Sequence, residues 1–300
     1  MFKTLTAFTV LLILIGVQDA AAKPRQLASG VQWFAVDGDR YAAWAKEDAD
    51  TITVLDTRTH KRRHASKPTH CRGGESGRAM VGGWLLLLCR SGERLLDVRS
   101  GRFKRLPEGF DGWKYLGERF VQGSADAGRV DVYLNRRTGG VRRFRERSDH
   151  RVRDLDDPKL RLVCGPPGYL DNFARFYDAR YVVSQPSGDE ALVLRRRCKA
   201  KGRVIGRGDF LGGAELSEPF VAAGWVSWAA GGEAHAENLK TRKRRHWHVP
   251  NYERGVGFVQ VGQARNTIFF APAQTDDGFS APVITSFDVF EAPLSAKASG

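Results

Sequence analysis

The chain has 300 residues, 42% of them hydrophobic and 10% aromatic, which is enough apolar material for a large core and excludes a disordered chain. A formal net charge of +14 favours anionic partners without specifying one. One large or two ordinary domains fit this length, and after the first residues no apolar stretch approaches the ~20 residues of a membrane span.

In chain order, Lys3 precedes an apolar run from Ala7 to Val17, followed by Gln18, Asp19 and Ala20-Ala21-Ala22. This reads as a secretory signal peptide over residues 1–22, with cleavage after Ala22. The run is too short for an uncleaved span, and no cysteine follows the cleavage site to carry a lipid. Residues 23–300 are expected to form one domain, exported to the periplasm or the extracellular space, with no membrane span after signal removal.

The first predicted four-strand unit has strands near Trp33–Val36, Arg40–Ala45, Ile52–Asp56 and Lys61–Ala65. The next, Gly77 to Leu106, is the clearest. Ala79–Val81 is followed by Gly82-Gly83, which can take the positive φ of a two-residue hairpin. Then come the apolar run Trp84–Cys89, Leu95–Val98 and the basic Phe103–Leu106, separated by glycine-bearing turns. A third unit covers Trp113 to Phe144 and leads into a polar insertion, RERSDHRVRDLDDPKLR, a place where a site could be grafted. Further units run from Phe173 to Ile205, with a hairpin at Tyr177–Ser184, and from Phe220 to Val249. The last begins at Phe258 and reaches Val283–Phe290, but SAKASG after Pro293 offers no fourth strand. Residues Gln26–Ser29 are expected to supply it and so protect the final sheet edge. No long segment has a 3.6-residue period with caps, so helices are nearly absent.

The units repeat at a spacing near forty residues, the period of propeller blades. Asp56, Asp97, Asn135, Asn238 and Asp288 mark the ends of their third strands, where an Asx side chain can accept backbone N–H groups of the following turn. Tyr41 and Trp44, Trp84 and Leu87, and Trp225 and Trp228 occupy corresponding places in the second strands, which suits packing between units.

With these features the chain resembles a bacterial secreted β-propeller of the broad WD-repeat-like or TolB-like kind. The resemblance covers nearly all of residues 23–300 but rests on generic motifs, and the WD dipeptide, the Gly-His pair and the paired-Gly kelch pattern are missing. It implies an all-β fold of four-stranded antiparallel blades, six or alternatively seven of them. It also implies a toroid used as a binding platform, and it carries over no active-site residue.

Cys71, Cys89, Cys164 and Cys198 suit two disulfides in an exported chain, and the local pairings Cys71 with Cys89 and Cys164 with Cys198 are expected. Metal binding lacks the Cys-x-x-Cys spacing. The glycine cluster from Cys71 to Gly77 reads as a connecting loop. His246 and His248 face one side of an outer strand, with no third ligand in view. Asp154, Asp156 and Asp157 suit local ion pairs better than calcium. No nucleophile elbow, Walker loop, HExxH or dinucleotide pattern occurs, and no cofactor is implied. Asp37, Asp39 and Asp178 lie in first hairpins, where a propeller hydrolase would place carboxylates. The one patterned feature is basic: Lys61, Arg62 and Arg63, Arg142 and Arg143, and Lys243, Arg244 and Arg245 recur on fourth strands, with further cations at Arg136-Arg137 and from Arg195 to Arg203. Edge protection explains such charges, and a polyanion-binding rim is the functional reading. The expected role is a monomeric, non-enzymatic, secreted binding or scaffold protein, whose partner is an anionic cell-surface polymer or another protein rather than a specific nucleic acid. The alternative is a propeller hydrolase or lyase acting on an extracellular polymer.

Overall fold

The computed structural model describes residues 23–46, 49–73, 79–106, 111–116, 119–126, 129–145, 153, 155, 157–162, 176–177, 181–184, 191–196, 201–207, 219–252, 259–276 and 283–294. Among them every regular element is a strand, and the strands pair antiparallel. None of the described residues forms a helix long and apolar enough to cross a membrane.

The first unit uses β1 (Arg25–Val36), β2 (Tyr41–Lys46), β3 (Thr51–Asp56) and β4 (Lys61–Ser66) in sequence order. Four consecutive residues of β2, Ala42 to Ala45, are buried, because a neighbouring sheet covers each face of the strand. The polar β4 lies outermost and is mostly exposed. In the second unit β5 (Cys71–Gly73) and β6 (Met80–Val81) both pair with β7 (Trp84–Cys89), followed by β8 (Arg94–Asp97) and β9 (Arg102–Arg105). Gly82 and Gly83 turn the chain with φ of 56° and 76°, as a two-residue hairpin requires. The loop expected from Cys71 to Gly77 is corrected over its first three residues. Cys71 pairs directly with Cys89 in the ladder, and the Cys71–Cys89 disulfide ties the two strands. Cys164 and Cys198 lie outside the described residues.

The third unit comprises β10 (Asp111–Leu116), β11 (Phe120–Ala125), β12 (Val130–Asn135) and β13 (Val141–Arg145). The fourth comprises β14 (Phe176–Tyr177), β15 (Tyr181–Ser184), β16 (Ala191–Arg196) and β17 (Gly202–Arg207). Next come β18 (Phe220–Ala222), β19 (Trp225–Ala230), β20 (Glu233–Asn238) and β21 (Arg244–His248). The last three strands are β22 (Val259–Ala264), β23 (Thr267–Asp276) and β24 (Val283–Pro293). β24 pairs with the first half of β1, with Gln26 opposite Phe290 and Ala28 opposite Val289, while the second half of β1 pairs with β2. One strand therefore completes the last unit and begins the first, as the leftover edge after Pro293 led us to expect. Gly30, with φ of 61°, sits where the strand passes from one ladder to the other.

The apolar core lies between neighbouring sheets. Trp33, Ile52 and Val54 meet Met80, Leu85 and Leu87; Leu86 and Leu95 meet Val121 and Val132; Phe34 and Trp44 meet Phe269 and Val289. Trp44, Leu87 and Trp228, at the repeated second-strand place, are all buried in such clusters, so these side chains pack units together. The polar insertion is only partly a surface loop. Leu155 and Leu160 are buried against Phe120 and Tyr133, and Leu155 O accepts from Phe120 N at 3.1 Å.

The Asx marks close their turns. Oδ1 of Asn135 accepts from Arg137 N at 3.0 Å and Thr138 N at 3.1 Å, and Oδ1 of Asn238 from Lys240 N at 3.0 Å and Thr241 N at 2.9 Å. Asp97 accepts from Arg99 N at 3.1 Å and Asp56 from Arg58 N at 3.0 Å. The Arg40 side chain on Asp56, at 2.6 Å, holds that carboxyl down at about 2. Asp288 is a correction: β24 continues past it to Pro293, so no turn follows. Its carboxylate instead accepts from Gly30 N and Asn251 Nδ2, each at 3.3 Å, and straps the closing strand.

Candidate polyanion-binding rim

Each of β4, β13 and β21 is the last strand of its ladder, so one edge and much of its side-chain surface face solvent. In β4, Lys61, Arg62 and Arg63 stand opposite Asp56, Leu55 and Val54; in β21, Arg244 and Arg245 stand opposite Glu237 and Ala236. The turns match as well, with His60 and Arg242 at φ of 54° and 59°. The sequences DTRTHKRRH and NLKTRKRRH, ending at His64 and His246, are therefore the same structural device on two units.

Within this device the cations divide by face. Arg62 lies 5.7 Å from the Trp44 ring and donates to Leu27 O at 3.3 Å; Arg244 lies 5.9 Å from the Trp228 ring and donates to Glu237 Oε2 at 2.9 Å. Arg142 on β13 repeats the arrangement, 5.8 Å from Phe120 and donating to Pro158 O at 3.4 Å. Arg63 reaches the next unit, donating to Arg99 O at 3.1 Å. By contrast Lys61, Arg143 and Lys243 are exposed and Arg245 half-buried, and their side chains have no polar partner among the described residues. Seven of the eight cations sit on three separate outer strands, with Lys243 just before β21, and the eight do not converge to one point.

Some members of the basic runs are taken up by a neighbouring unit or lie on an inner strand. Arg136 is 4% exposed; its guanidinium donates to Val81 O at 2.8 Å and lies 6.0 Å from the Trp84 ring, linking the third unit to the second. Arg195 and Arg196 belong to the third strand β16, and Arg203 on β17 ion-pairs with Glu237 of the adjacent unit. The sequence hid these roles because a cation run looks the same whether its partner is solvent or a neighbouring sheet.

His246 and His248 are exposed on either side of the buried Trp247, and the His235 ring lies 6.3 Å from His246 and stacks on Trp228 at 5.3 Å. Burial pushes the His235 imidazole below its ordinary value, against the opposing pull of Glu233. Asp157 ion-pairs with Arg161, while Asp154, Asp156 and Asp178 lie outside the described residues. Asp37 is buried, with Oδ1 accepting from Asp39 N, Arg40 N and Tyr41 N at 3.0, 2.7 and 2.8 Å and Oδ2 from Gly83 N of the next unit at 3.2 Å. Burial pushes its carboxyl up although those N–H groups favour the charged form. A carboxylate so occupied is a staple between hairpins. Asp37→Ala is expected to lower stability by about 3 kcal/mol in guanidinium unfolding, since four acceptor roles vanish. Asp37→Asn, which keeps the Oδ1 bonds, should cost about 1 kcal/mol; equal midpoints for the two variants would contradict this.

No family model and no curated protein matches the chain. Solved structures do. U3-55K is 12% identical, with 91% of this chain and 99% of that chain covered and a TM-score of 0.56. The RRP9 WD40 repeats are 12% identical over 91% and 98%, with a TM-score of 0.58. The Pyrococcus horikoshii acylaminoacyl peptidase is 9% identical over 86% of this chain and 52% of that one, with a TM-score of 0.50. Such likeness shows the fold alone, and the fold is a β-propeller.

Proposed function

Proceeding from a β-propeller, we propose that this chain is a secreted, six-bladed, non-enzymatic binding protein that holds anionic polymers along a basic rim. The six blades are supported by the succession of four-strand ladders joined through β1, and export by the signal-like first 22 residues together with the Cys71–Cys89 disulfide. The observation that carries the binding role is the repeated Lys-Arg-Arg-His device at the start of β4 and at the entry to β21. In each copy an arginine is anchored over an indole, and the lysine before it faces solvent. Separated cations on a periphery suit an extended partner recognised by its charge, because a polymer can span sites that a small ligand cannot.

The test changes only cations without a structural partner. Lys61→Gln, Arg143→Gln, Lys243→Gln and Arg245→Gln together should weaken heparin binding at least tenfold at about 50 mM salt and flatten the dependence of log K on log salt by about 3. Unfolding midpoints should stay near that of the parent, since Lys61, Arg143 and Lys243 are exposed and the half-buried Arg245 side chain has no polar partner among the described residues. Absence of binding by the parent at that salt, or an unchanged slope in the variant, refutes the proposal.

A further inference from the structure

Beyond the rim, we propose that one face of the β20–β21 ladder binds a zinc ion. β20 carries Glu233-Ala234-His235 and β21 carries His246-Trp247-His248, and the register sets Glu233 opposite His248 and His235 opposite His246. Because side chains two apart on a strand share a face, the four ligand-capable residues occupy the corners of one block. The third ligand that the pair His246 and His248 lacked on its own strand therefore comes from the neighbouring one. Strand spacings put each corner about 4 Å from the middle of the block. An imidazole holds zinc about 5–6 Å from its Cβ, so all four side chains can reach one ion above the sheet. The matching device on the first unit supplies a comparison. There Thr53 stands opposite His64, with Oγ1 3.4 Å from Nδ1, and Thr51 stands opposite Ser66. Two copies that agree over Lys-Arg-Arg-His thus differ at the other three corners, where the first has hydroxyls and the fifth unit has zinc ligands.

The contacts within the block suit a metal. His235 Nε2 lies 3.7 Å from Glu233 Oε2, and the Ala230 carbonyl also accepts from the ring. A neutral imidazole has one N–H, so one of these two acceptors faces a lone pair. Zinc between Nε2 and Oε2 resolves that mismatch, and a backbone carbonyl beside the ring is the support that ligating histidines commonly have. The 3.7 Å gap is close to the ~3.3 Å between two ligand atoms on a tetrahedral zinc. The His246 ring, 6.3 Å from that of His235, needs to approach by about 1 Å, since two imidazoles on one zinc have centroids about 5 Å apart. Among the described residues no three metal-ligating side chains already enclose one point, so His246 and His248 must turn inward, as exposed side chains can. Among the same residues Glu233 has no other ion pair or side-chain hydrogen bond, and His246 and His248 have none. Arg244, the cation next along this face, is held by Glu237 at 2.9 Å.

The test titrates the full exported chain, freed of metal with EDTA, with zinc chloride in a calorimeter. Zinc should bind with a Kd of about 1 µM or below and raise the unfolding midpoint. Glu233→Gln and His246→Ala should each weaken binding about tenfold or more, a loss of one ligand, while His64→Ala leaves it unchanged. Without zinc both ligand variants should unfold near the parental midpoint, since the Glu233 side chain is 44% exposed and His246 is exposed. Absence of zinc binding by the parent, parental affinity in Glu233→Gln or His246→Ala, or an equal loss in His64→Ala overturns the inference.

Discussion

Removing residues 1–30 is expected to abolish the stable monomeric fold, because those residues include the strand that completes the last sheet. β24 would lose the partners of Glu291, Phe290 and Val289, and the Arg25 ion pair with Glu291 would go with them. Leu27, 8% exposed and packed in the cluster of Phe34, Phe269 and Val289, would leave a gap in the core. Burying such a leucine is worth about 1.5–3 kcal/mol, and the exposed ladder edge invites pairing with other chains. The truncated chain should therefore elute as aggregate in size-exclusion chromatography, and Leu27→Ala alone should cost about 2–3 kcal/mol in denaturant unfolding. A truncated monomer with the parental midpoint would falsify this closure.

Replacing Arg203 and Arg244 together by Met should cost about 3–5 kcal/mol, although both side chains are partly exposed, because it strands a carboxylate that is not. The Glu237 side chain is 1% exposed. It receives Arg203 Nη1 at 3.0 Å from the neighbouring unit and Arg244 Nε at 2.9 Å from its own. The expense arises from the unpaired buried charge, not from lost surface attraction. Adding Glu237→Leu to the double variant should thus recover much of the loss. Equal stability of the double and triple variants in chemical denaturation would show that Glu237 carries no such burden. The same geometry explains why Arg244 is left untouched in the rim test: its removal would perturb the blade junction as well as any bound polymer.

What the sequence by itself determined is the content of each unit. The strand Trp84–Cys89, the Gly82-Gly83 hairpin and the Asx-closed turns at Asn135 and Asn238 all depend on residues only a few positions apart. Their side chains bond within the turn that they specify, so local chemistry sufficed. The Cys71–Cys89 bond was legible because the two cysteines bracket one local strand-turn-strand segment, and the closure expected of Gln26–Ser29 because a repeated unit shows which sheet lacks a strand.

Only the tertiary structure decided what happens between units. Asp37 reaches Gly83, Arg136 reaches Val81, Gln260 donates to Phe34 O at 2.9 Å, and Arg203 pairs with Glu237. Each of these links depends on how two twisted sheets face one another, and no spacing in the chain encodes that orientation. The basic runs show the difference most directly. Composition placed them on fourth strands, but whether a guanidinium lies over Trp44, serves a buried carboxylate or remains available to a ligand depends on the neighbouring sheet's surface.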